Sequence, residues 1–289
     1  MGSPPVGPYG VCTGQALRSA RPDVTSDSEV PRIATARHHS RSPARPESSK
    51  ERILRKCVAE FIGTLFLVLT VAAAVLTKAP QAPLAIGGVL MVMVYAGGHV
   101  SGAHYNPAVT LAVLLRGRIT ATDAAAYVGA QLAGGAVGAL IARWAVDPGK
   151  VTALSLSGRQ LGAALLVEAL FTFALAYVVL NVATSSGHPD NSFYGLAIGF
   201  TVLAGAIAVG GISGGAFNPA VAVGGSIAGL FSWSSLWIYL LSQIVGGALA
   251  AVAFLALNPH ERGVQVIEPG AGPDVTPGAE APASHLASP

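Results

Sequence analysis

Between about residues 57 and 257 apolar residues run in long stretches, with polar and charged residues gathered into short breaks. Six stretches, about 57–77, 84–98, 121–143, 161–181, 193–212 and 233–257, approach the ~20 residues that an α-helix needs to cross a bilayer. Two more, about 106–115 and 218–229, are half that length, and segments so short pack as core helices or enter the membrane and turn back. The breaks carry stop signals: "KAPQAP" from Lys78, "RGRIT" with Arg116 and Arg118, "WAVDPGKV" after the third long stretch and "SSGHPDNS" after the fourth. The pattern predicts an all-α integral membrane protein of six transmembrane helices plus two re-entrant half-helices.

The pattern also repeats. Glu60 in "VAEFIGTLFLVL" matches Glu168 in "LVEALFTFALAY" 108 positions later, while Asn106 matches Asn218, and Gln131 matches Gln243, after 112. Each half, about 53–143 and 161–257, holds three spans, so the second half enters the membrane from the opposite face. That is an inverted repeat, an arrangement common among transport proteins, in which the two short segments meet near the midplane. Intramembrane carboxylates are costly and rarely face lipid. Two readings of Glu60 and Glu168 stay open: proton relay or ion binding, and acceptance of hydrogen bonds from loop amides. Their symmetric placement beside each irregular loop favours the second, because backbone at membrane depth must be satisfied internally. Gln131 and Gln243 fit the same supporting role, or line a pore as donors. Glycines at Gly134, Gly138 and Gly246 allow close helix approach.

Each short segment begins with Asn-Pro-Ala: Asn106, Pro107 and Ala108, then Asn218, Pro219 and Ala220. Asn is a strong N-cap, and proline suits the first helical position because its missing N–H has no partner to lose there. The residues before them, "SGAHY" and "SGGAF", suit extended backbone, and glycine permits unusual dihedrals. The carbonyls of Gly102, Ala103 and His104, and of Gly214, Gly215 and Ala216, are then candidates to line a cavity, with the positive end of a half-helix beside them.

Only 11% of the 289 residues are charged and 52% are hydrophobic, against roughly 25% charged in soluble domains. Ten of the 17 Lys and Arg lie in residues 1–56, so the net charge of +3 belongs to one segment rather than to a basic binding face. Residues 1–52, rich in Pro, Ser and Arg, read as a disordered basic tail on the cytoplasmic side by the positive-inside rule, not as a secretory signal or a nucleic-acid-binding arm. Residues 258–289 read as a second disordered tail, returned to that side by an even number of spans. Arg143, Lys150 and Arg159 fall on the far side and weigh against this orientation. Cys12 and Cys57 suggest neither a disulfide framework nor a metal site.

"SGAHYNPAVTL" and "SGGAFNPAV", with Glu60 and Glu168, resemble the aquaporin, or major intrinsic protein, family over about 53–257. The resemblance implies one pore per subunit, usually in a homotetramer, with Asn106 and Asn218 donating hydrogen bonds to a passing solute. Selectivity in such pores rests on width, lining donors and acceptors, and half-helix dipoles. It also implies a four-residue filter at Ile86, Ala206, Gly215 and Val221. Most relatives place an arginine where Val221 stands, and glycerol-channel relatives usually follow it with an acid where this chain has Ala222. The set is small and apolar. Tyr239 resembles the water-channel branch and Leu240 the glycerol branch, so neither is assigned, and His99 and His104 fall at family positions suited to anchoring the first loop.

The expected function is a passive channel for water and small uncharged solutes such as glycerol, urea or ammonia, with no catalysis and no cofactor. Its expected partners are the solute, the lipid bilayer and three further copies of the chain, and the size and Arg/Ala/Gly bias point to a bacterial inner membrane. Two rivals stand: a transporter coupled to protons or ions through Glu60 or Glu168, and a non-conducting membrane protein that recruits partners.

Overall fold

The computed structural model describes residues 48–189 and 191–262. Both terminal regions read as disordered, apart from their inner ends, lie outside the described residues, as does Cys12. Among the described residues there are six helices long and apolar enough to cross a membrane. In chain order they are α1 (Ser49–Leu76), α2 (Ala82–Ser101), α4 (Ala121–Val146), α5 (Gly158–Thr184), α6 (Tyr194–Ser213) and α8 (Leu236–Leu257). The half-helices are α3 (Pro107–Leu115) and α7 (Pro219–Ala228). Both boundaries of the folded region differ from the expected ones. Helix α1 starts at Ser49 because Ser48 and Glu51 form a capping box: Glu51 N–H donates to Ser48 Oγ at 3.2 Å and Ser48 N–H to Glu51 Oε2 at 2.8 Å. At the other end a 3₁₀ turn, Pro259–Glu261, continues past α8 and buries Glu261.

The packing repeats with the sequence. Helix α1 lies along α4 as α5 lies along α8, and each half-helix packs on the third span of the opposite repeat, α3 on α8 and α7 on α4. Small residues make this possible. A Cβ built on Gly134 would run into the Phe61 carbonyl of α1, and one on Gly246 into the Ala169 carbonyl of α5. On the next residue, Gly135 meets the carbonyl of Ala220 and Gly247 that of Ala108, so the alanine of each Asn-Pro-Ala presses its backbone onto a glycine of the other half. The chain's three tryptophans, Trp144, Trp233 and Trp237, are all exposed at the end where α4 finishes and α8 begins, as an aromatic belt at one membrane surface would be.

Candidate functional site: a midplane Asn pair between two cavities

Each half-helix begins as its sequence dictates. Asn106 and Asn218 have extended backbone (φ −156° and −158°), and proline follows at the first helical position. The Asn106 Oδ1 accepts the Ala108 N–H at 2.9 Å, and the Asn218 Oδ1 accepts the Ala220 N–H at the same distance. Their amides then cross between repeats. Asn106 Nδ2 donates to the Phe217 carbonyl at 3.0 Å, and Asn218 Nδ2 donates to the Tyr105 carbonyl at 2.8 Å. One N–H of each side chain is thus spent on holding the half-helices tip to tip, which leaves one N–H each for any solute.

The loops before them are suspended from the carboxylates. Glu60, fully buried, accepts four hydrogen bonds: Ser101 Oγ at 2.6 Å, His104 N–H at 2.9 Å, Tyr105 N–H at 2.7 Å and Gln131 Nε2 at 2.8 Å. Glu168 repeats the arrangement with Ser213 Oγ at 2.6 Å, Ala216 N–H at 3.0 Å, Phe217 N–H at 2.8 Å and Gln243 Nε2 at 2.9 Å. Gly102 and Gly214, at φ +86° and +89°, turn the chain out of helix so that these amides face the carboxylates. With the amides facing one way, the carbonyls of Gly102, Ala103, His104, Gly214, Gly215 and Ala216 accept no hydrogen bond from the described residues.

Four contributors to loop support carry no such role in the sequence reading, where Tyr239 stands only as a branch marker. Ser101 and Ser213 bridge loop to carboxylate, while Tyr127 and Tyr239 donate their hydroxyls to the Ser101 and Ser213 carbonyls at 2.7 and 2.5 Å. All recur at the 112-residue spacing, which was the available signal. His104 is tied down, with Nδ1 3.1 Å from Thr110 Oγ1 and its ring edge-on to Tyr127. His99 is not. It is exposed and its side chain makes no hydrogen bond within the described residues, because it lies on the α2 face that lines a cavity rather than the loop.

Two cavities lie beside the loops and half-helices. The larger, about 740 Å³, opens on the face where α1 ends and reaches Asn106, Asn218 and five of the six loop residues whose carbonyls are free. Ile86, Ala206, Gly215 and Val221 all line it, and a Cβ built on Gly215 would sit 3.5 Å from Ala206 Cα, so those two share one wall. The rest of that wall is mostly aliphatic, and residues 148–155, between α4 and α5, form its rim. The smaller, about 600 Å³, opens on the face where α1 begins and is lined by His99, Gly102, Arg118 and residues 182–186. His104, Val179 and Ile198 line both cavities. The two therefore lie on either side of these three residues.

A family model described as major intrinsic protein matches residues 47–254. The chain belongs to the major intrinsic protein family. It is 42% identical over 212 residues to glycerol uptake facilitator protein-like 6 of Lactiplantibacillus plantarum, which covers 68% of this chain and 95% of the relative. It is 34% identical over 212 residues to aquaporin NIP1-4 of Oryza sativa, covering 70% of this chain and 76% of that one. Among solved structures the aquaglyceroporin from Plasmodium falciparum superposes with a TM-score of 0.61 at 21% identity, over 72% of this chain and 98% of the other, and so shares the fold. As a family member the chain is a multi-pass membrane protein and a passive channel for water or small solutes, not an enzyme.

Proposed function

We propose that the solute path runs through both cavities past the Asn106–Asn218 pair, and that its selectivity filter lies at Ile86, Ala206, Gly215 and Val221. The observation that carries this is that both asparagines, each with one N–H not spent between the repeats, line the same mostly aliphatic cavity as five of the six residues with free loop carbonyls. Water and small neutral molecules with both donors and acceptors can trade their hydration for these groups. Glu60 and Glu168 act as loop supports, because all four of their hydrogen-bond partners are loop or helix donors and neither carboxylate lines a cavity.

Val221 leaves that wall without the bulk and donors of an arginine. Neutral solutes larger than water, of the glycerol and urea class, are therefore expected to pass. The test is Val221→Arg beside wild type in proteoliposomes, by stopped-flow permeability to water, urea and glycerol. The variant should lose solute flux at least about tenfold more than water flux, as expected for a pore set by width and lining donors. Unchanged ratios across the panel would place the constriction elsewhere. We further propose a homotetramer with both termini cytoplasmic, in a bacterial inner membrane. The concentration of basic residues in residues 1–56 supports the orientation, and light scattering of the purified protein tests the assembly.

A further inference from the structure

Among the described residues, the ionised side chains that line the two cavities are basic. Among those residues, Lys78 and Lys150 line the larger cavity and Arg118 the smaller. The carboxylates of Glu60 and Glu168 are buried behind the loops, that of Glu261 is buried on Arg116, and Asp123 and Asp147 line neither cavity. Lys78 and Lys150 make no hydrogen bond or ion pair through their side chains with any described residue.

Their backbones are nonetheless held in place. Lys78 follows α1 in left-handed conformation (φ +54°), with its N–H on the Val75 carbonyl at 3.0 Å and the Ala79 N–H on the Ala74 carbonyl at 2.9 Å. Helices that end this way normally use glycine, because a side chain is strained there. A lysine at such a position keeps an ammonium group at the cavity rim against the local preference. Lys150 belongs to the rim segment 148–155, which is stitched to the residues after α7: Leu154 N–H donates to the Leu230 carbonyl at 2.8 Å, and Ser232 N–H to the Leu154 carbonyl at 2.9 Å. Leu156 N–H adds a bond to Ser235 Oγ at 3.1 Å.

We propose that Lys78 and Lys150 are specificity-determining residues of this channel, whose ammonium groups form at the rim the cation barrier that the apolar wall at Val221 does not provide. The proposal rests on the channel reading above. A cleft lined by one sign of charge repels ions of that sign before they begin to lose water. Hydronium and ammonium are thereby depleted at the mouth, while neutral solutes feel nothing.

The test uses the full chain in phosphatidylcholine vesicles, which add no surface charge of their own. Osmotic water permeability, valinomycin-clamped proton flux and methylammonium uptake are measured on the same preparations of wild type, K78Q/K150Q, K78E/K150E and K78R/K150R. At about 0.01 M salt, where the Debye length is about 30 Å, the Gln pair should raise the cation-to-water flux ratio about three- to tenfold. The Glu pair should raise it further and the Arg pair should leave it at the wild-type value, with water permeability within about twofold throughout. At about 1 M salt, where the Debye length falls to about 3 Å, the differences should collapse. Lys78→Gly alone should both stabilise the end of α1 and raise the ratio, so the test survives poor expression of a double variant. Gln and Glu pairs that conduct water normally yet keep the wild-type ratio at low salt would overturn the proposal. Wild-type vesicles no more permeable to water or neutral solutes than empty ones would instead overturn the channel reading on which it stands.

Discussion

At the residue scale the load falls on two carboxylates, each saturated by four donors. Glutamine in either place turns one acceptor oxygen into a donor that faces donors, so two bonds are lost and two N–H or O–H groups are set against an NH₂. At about 1.5–3 kcal/mol for each charged hydrogen bond, Glu60→Gln and Glu168→Gln should each destabilise the protein by at least about 3 kcal/mol, to similar extents. Thermal unfolding in detergent measures this, and water permeability per folded molecule should change far less. A stable Glu168→Gln protein that lost only proton-driven uptake would revive the coupled transporter. The two glutamates were legible in the sequence because a carboxylate inside a span is costly and stands out at once. Ser101, Ser213, Tyr127 and Tyr239 were not, because hydroxyls in apolar helices are common and cheap, and only their shared spacing marks them.

At the element scale the half-helices depend on glycines of the opposite repeat, and the two contacts differ in tightness. A Cβ on Gly247 would come 2.5 Å from the Ala108 carbonyl oxygen, and one on Gly135 3.0 Å from that of Ala220, whereas one on Gly129 meets nothing within 4 Å. Overpacking against backbone costs about 1–3 kcal/mol. Gly247→Ala is therefore expected at or above the upper end and Gly135→Ala near the lower, with Gly129→Ala neutral or slightly stabilising. Thermal midpoints of the three variants read the order directly, and equal losses at 247 and 129 would show that the half-helix seat is looser than drawn. Spans, half-helices and their inverted relation could be read beforehand because length and apolar runs set them. The seat could not: Gly134, Gly135 and Gly138 look alike in sequence, yet Gly134 and Gly138 face α1 while Gly135 faces α7. Which neighbour a small residue admits is decided only when helices from both repeats are in place.

At the scale of the whole molecule residues 259–261, just after α8, pack against the helical bundle. Glu261 is 1% exposed and joins three segments. Its Oε2 accepts Arg116 Nη2 at 2.6 Å at the end of α3, and its Oε1 accepts Ser186 N–H at 2.5 Å, Ser186 Oγ at 2.7 Å and Ser185 Oγ at 3.2 Å. Arg116 is buried too, and its guanidinium lies 4.9 Å from the centre of the Phe254 ring. In the sequence Arg116 marks only the "RGRIT" break, because nothing local signals a partner 145 residues away. Burial pushes the Glu261 carboxyl upward, but the Ser186 bonds, the Arg116 charge and Ser185 outweigh it and hold it at about 2, below the ordinary 4.5. A carboxyl held low stabilises the fold above its unfolded value and loses that contribution as pH falls through the folded one. The joint should therefore be indifferent to pH from 5 to 8, begin to weaken below about 4.5 and be gone below about 2. Glu261→Ala leaves Arg116 buried and unpaired, a loss of about 3–5 kcal/mol, and frees the 184–186 segment that lines the smaller cavity. Hydrogen exchange at Ser186 and Gly187 should rise in this variant at pH 7, while amides at the distal rim, Leu154 and Ser232, keep their protection. The wild type should reproduce that exchange pattern only in strong acid. Protection at Ser186 that is unchanged by Glu261→Ala would mean that the loop holds itself, and that the residues after α8 merely rest against it.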